Sequence, residues 1–89
     1  MDSIKPLRKE GILSRKTGDE WILYDQEEKS VHVINATAEF VWSLCDGSNS
    51  LSYIAKQMHD TFQISEDHDV KKDLDRIIKT FLDLGILET

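Results

Sequence analysis

The chain has 89 residues, 17 acidic against 11 basic, a formal net charge of −6 and a pI near 4.9. That length holds one small domain with a single modest core and no room for a large enclosed active site. The acidic balance opposes phosphate-backbone binding, which draws on clustered Lys and Arg, and one Cys excludes an internal disulfide framework or a multi-cysteine metal site.

In chain order, residues 1–10 are polar, carry the only Pro (Pro6) and read as a flexible arm, with one domain following over 11–89. The start, MDSIKPLRKEGIL, has no apolar core of the signal-peptide kind. No run approaches the ~18 apolar residues of a spanning helix, so a cytoplasmic protein without a membrane partner is expected. Ile12 to Thr17 suits a first strand, and Gly18-Asp19 a turn. Trp21 to Tyr24 joins aromatic and branched residues and is the strongest strand signal. Asp25 to Lys29 reads as a charged turn and Ser30 to Ile34 as a third strand. Short links predict an antiparallel meander.

Helices follow. Asn35 is a suitable N-cap for a first helix over about Ala36 to Asp46, with Gly47 at its end. Ser50 can cap a second helix, Leu51 to Phe62, whose Leu51, Ile54, Ala55, Met58 and Phe62 share one face. Ser65 can cap a third, with Glu66 and Asp67 favourable to its dipole. Its Val70, Leu74, Ile77, Ile78, Phe81 and Leu82 make a stripe wider than a small three-helix core needs, and Gly85 ends it. That width suits a central helix touching both the sheet and the other helices, and, compatibly, one margin free to line a groove beside the third strand. Strands first and helices after, βββααα, define an α+β fold.

Constellations for chemistry are absent. His32, His59 and His68 lack metal-ligand spacing, and the four Gly are scattered singly rather than gathered in a phosphate loop. Cys45 falls on the apolar face of a short helix without a His nearby in sequence, the pattern of an inert buried thiol. No catalytic residue, cofactor or metal is expected. The third strand is different: Val31-His32-Val33-Ile34 would be a sheet edge without the Pro or inward Lys that discourages pairing.

Asn35, Thr37, Ala38, Val41, Trp42, Leu44, Asp46 and Gly47, then Leu51 and Ile54, then Val70, Asp73, Leu74, Ile78, Phe81, Gly85, Ile86 and Leu87, together resemble the PqqD-like family. The resemblance spans about Gly11 to Glu88. It implies a winged-helix-like fold of three strands and three helices. It also implies a non-catalytic adaptor that binds the leader of a ribosomally made precursor peptide and presents it to a tailoring enzyme such as a radical-SAM protein, leader protease or cyclase. The leader would add as a strand beside the third strand, against the third helix. The implied peptide site is Ser30, Val31, His32, Val33 and Ile34 with Val70, Asp73, Leu74 and Ile77. Val70, Leu74 and Ile77 also suit its apolar floor on the residue pattern alone. Pairing of two open edges would instead give a homodimer. A winged-helix nucleic-acid binder is the alternative, because Lys72, Arg76 and Lys79 share an outer helix face. However, residues 66–84 hold six acids against four bases, and nucleic acid is not an expected partner.

Overall fold

The structure, a computed structural model, describes residues 4–65 and 67–88. Three antiparallel strands, β1 (Ile12–Thr17), β2 (Glu20–Asp25) and β3 (Ser30–Asn35), are followed by α1 (Ala36–Leu44), α2 (Leu51–Phe62) and α3 (Val70–Leu84). The sheet order is β1-β2-β3, so β1 and β3 are its edges. The register pairs Leu23 with Ser14 on one side and His32 on the other, and Trp21 with Lys16 and Ile34. Cross-strand partners share a face. One face thus gathers Ile12, Leu23 and Ile34 against the helices, while Leu13, Ile22, Tyr24, Val31 and Val33 stand on the other.

The core joins Leu23 and Ile34 to Val41, Trp42 and Cys45 of the α1 region, Ile54 and Met58 of α2, Leu74 and Phe81 of α3, and Ile86. Burial pushes the Cys45 thiol up to about 12, and its Sγ donates to the Val41 carbonyl at 3.2 Å, as an inert thiol would. Asn35 ends β3 and caps α1 at once, its Oδ1 accepting from the Ala38 N–H at 2.8 Å. Ser50 caps α2 through the Tyr53 N–H.

α3 begins later than the Ser65 cap predicts. Asp69 is the N-cap, accepting from the Lys72 N–H at 3.2 Å. Ser65 instead closes a turn: its Oγ accepts from Asp67 N–H, and its carbonyl from His68 N–H. Both are competent caps, and the one nearer the apolar repeat starts the helix. Glu66, expected in the first turn, lies outside the described residues, as do residues 1–3 and 89. α1 stops at Leu44, because the Cys45 N–H turns to the Trp42 carbonyl and the chain leaves the helix.

The polar arm expected over residues 1–10 is tied down at residues 6–9. Arg8 N–H donates to Cys45 O (2.7 Å) and Lys9 N–H to Ile86 O (3.0 Å); Pro6 O and Leu7 O accept from Gly47 and Glu88 N–H (2.9 and 2.7 Å). The arm is in effect a short strand between the end of α1 and the C-terminal segment. Arg8 also donates from Nη1 to the Ser43 carbonyl at 2.7 Å, and its guanidinium stacks 5.3 Å from the Trp42 ring. Lys9 Nζ reaches the buried Asp25 carboxylate at 2.9 Å. Asp25 further accepts from the Glu27 and Glu28 N–H groups, fixing the β2–β3 turn.

Deleting residues 1–9 removes four backbone hydrogen bonds worth ~1 kcal/mol each. Urea unfolding should show ~3–5 kcal/mol of lost stability, a large share for a small domain; an unchanged midpoint would refute the docking of the arm. The bond from Lys9, with those from the turn N–H groups, holds the Asp25 carboxyl below its ordinary 3.8. A depressed carboxylate stabilises the fold fully above its unfolded value, and that stability is lost as pH falls through the folded value. Asp25→Asn should therefore be less stable than the parent at pH 7, the difference narrowing below pH 3.8, as thermal unfolding across pH would record.

Candidate functional site

The two sheet edges are chemically unlike. β1 carries Arg15 and Lys16, and Lys16 lies on the helix-facing side of the sheet, a placement that guards an edge against further pairing. β3 carries Val31, His32, Val33 and Ile34 and no such guard. Among the described residues no strand pairs with its outer edge. Alternate residues of β3 thus turn their backbone N–H and C=O groups outward.

Beside that edge lies a groove of about 490 Å³. α1 rests on β3, and also on α3, while β3 and α3 themselves barely touch. The groove is the gap that results. Its strand wall is Val33, Ile34 and Asn35; Thr37 and Ala38 of α1 close one end; Asp73, Arg76, Ile77, Thr80 and Phe81 form the helix wall. On α3 these positions follow i, i+3, i+4, i+7, i+8, one continuous stripe. Phe81 and Ile34 are buried and make the floor, whereas Val33 is 57% exposed.

Of the residues expected in a peptide site, Val33, Ile34, Asp73 and Ile77 come together here. Ser30, Val31 and His32 lie further along the same edge, with His32 Nε2 facing Ser30 Oγ at 3.4 Å. Leu74 is 2% exposed and supports the core from below. Val70 borders a separate shallow concavity with His59 and His68, because α3 turns it toward α2. Asn35, Thr37, Ala38, Arg76, Thr80 and Phe81 belong to the groove without having been singled out for it. The 3.6-residue repeat running through Ile77 carries the signal for Asp73, Arg76, Thr80 and Phe81. Nothing local marks Thr37 and Ala38, which depend on the direction in which α1 leaves β3. Arg76 keeps its exposed place beside Lys72 and Lys79 at i, i+4 and i+7 of α3, and is the member of that trio that also lines the groove.

His68 Nε2 pairs with Asp73 Oδ2 at the mouth. Among the described residues no cluster of three or more His, Cys, Asp or Glu could hold a metal, and no helix is long and apolar enough to cross a membrane.

The described residues thus form a small α+β domain with one sheet edge open beside a helix-walled cleft. Residues 20–87 match the family described as Coenzyme PQQ synthesis protein D (PqqD), and the chain belongs to that family. A solved structure described as TbiB1 in complex with the TbiA(beta) leader peptide has a similar fold. Its TM-score is 0.75 at 17% identity, covering 92% of this chain and 94% of that one. A search of curated proteins returns no match.

Proposed function

We propose that this protein is a non-catalytic adaptor that captures the leader of a ribosomally made precursor peptide and presents it to a modifying enzyme. The leader adds as a fourth strand along Ser30–Ile34, and its groove-side residues pack against Asp73 and Ile77. The observation that carries this reading is the unpaired, unguarded edge of β3 standing over a groove floored by Ile34 and Phe81. Membership of the PqqD family supports it, and so does the likeness in fold to a protein solved with a leader peptide.

The energetics are adequate. About four backbone hydrogen bonds contribute ~1 kcal/mol each. Ordering a flexible peptide costs ~2–5 kcal/mol and cancels most of that gain. One or two apolar side chains buried in the groove add ~1.5–3 kcal/mol each, and electrostatic contacts at the rim supply specificity. Affinity then rests on side chains in the groove, while the backbone ladder sets direction and register. A radical-SAM protein, protease or cyclase acting on the same precursor is the partner such an adaptor serves.

The test is calorimetry with the synthetic leader of a candidate precursor peptide. Val33→Asp and Ile77→Asp should each weaken binding by about tenfold or more, equivalent to ~1.4 kcal/mol. Both side chains are at least partly exposed, so circular dichroism should show the fold retained. Leu13→Asp, on the distant edge strand, should bind as the parent does. Equal affinity in all three variants would overturn the placement of the site.

A further inference from the structure

We propose that Arg76 makes the groove selective for a strand bearing an acidic side chain, Asp or Glu, two residues from the apolar side chain that packs over Ile34 against Ile77. This inference rests on the peptide-binding reading above and goes on to name the chemistry of the peptide.

Asp73 and Arg76 are the two charged residues lining the groove. They stand three apart on α3, a spacing that permits an ion pair, yet none forms between them. Asp73 is engaged from the other side by His68. Among the described residues the Arg76 guanidinium has no ion-pair or hydrogen-bond partner; outside the helix ladder the residue's one bond is through its carbonyl, which accepts from Thr80 Oγ1 at 2.9 Å. The remaining lining residues are neutral. The groove therefore offers an incoming strand one unengaged cation, while its one anion is already taken.

Geometry sets the spacing. Arg76 and Ile77 are successive on the helix, about 1.5 Å apart along its axis. Side chains on one face of a strand recur every second residue, about 6.6–6.8 Å apart. An apolar side chain seated at Ile77 thus leaves its same-face neighbour about 5 Å further along the groove than Arg76, within reach of an extended arginine side chain. A carboxylate there gains a charge-assisted, bidentate contact; a Lys meets like charge. The overall charge of −6 disfavours acidic peptides at long range, but salt screens that repulsion beyond about 8 Å and leaves the direct contact to decide.

The experiment is selection of a displayed library of random 12-residue peptides on the full-length protein at physiological salt. The parent, Arg76→Glu and Lys79→Glu serve as three separate baits. Arg76 is exposed, and Lys79 is exposed and outside the groove, so circular dichroism should show all three folded. Peptides enriched on the parent should carry Asp or Glu two residues from an apolar anchor. On Arg76→Glu that position should change to Lys or Arg, while Lys79→Glu should keep the acidic preference. A parent-selected peptide should bind Arg76→Gln about five- to tenfold more weakly. Peptides that enrich and depend on Val33 but show no acidic bias would overturn the role of Arg76 alone. So would a bias that changes equally on Lys79→Glu, since that would report general electrostatics. Failure to enrich any peptide would overturn both this inference and the peptide-binding reading.

Discussion

The architecture depends on where α1 goes when it leaves β3. Asn35 is the last residue of the strand and the cap of the helix, so there is no loop in which the direction could drift. α1 then settles against β3, and α3 settles against α1 and α2. Held off by α1, α3 cannot close onto the edge of β3, and a groove remains with a strand on one side and a helix on the other. Unpaired strand edges invite association and are ordinarily blunted. β1 is blunted, by Arg15 and Lys16; β3 is not, and that contrast within one three-stranded sheet is what the peptide-binding proposal rests on.

The opposite side of the fold is closed as firmly as this side is open. Residues 6–9 knit the end of α1 to the C-terminal segment, Arg8 stacks on Trp42, and Lys9 anchors the Asp25 carboxylate that fixes the β2–β3 turn. Since that turn leads directly into β3, the arm steadies the strand from a distance without covering it. These polar contacts lie away from the groove, where among the described residues the Arg76 side chain has no partner.

Much of the fold was legible because the signals were local and agreed with one another. β-branched and aromatic runs marked the strands, Asn35 and Ser50 marked two helix starts, and the 3.6-residue repeat marked the faces that build the core. Where two caps competed, Ser65 and Asp69, spacing alone did not choose between them. The docking of the arm was hard to read because its four strand-like bonds are backbone to backbone, with partners more than 30 residues away in sequence, and its side-chain bonds from Arg8 and Lys9 join residues that only the fold brings together. The groove proposed as the site was half legible. The edge character of β3 and the width of the α3 stripe pointed to Val33, Ile34 and Ile77, and Asp73 came from the family pattern. Leu74 and Val70 share that stripe, yet the helix's rotation sends one into the core and the other toward α2. That rotation is set by tertiary packing, and it brings Arg76, at the margin of an exposed basic face, to the groove as well.

The central claim, that the vacant edge of β3 receives a peptide strand, is tested most directly by residue-resolved amide exchange with and without the leader peptide. The account predicts that outward-facing amides of Ser30–Asn35 become protected at least tenfold, with cross-strand contacts from peptide backbone to β3 and none to β1. Protection confined to the helices, or to the sheet face bearing Leu13 and Tyr24, with the β3 edge exchanging as freely as before, would contradict it.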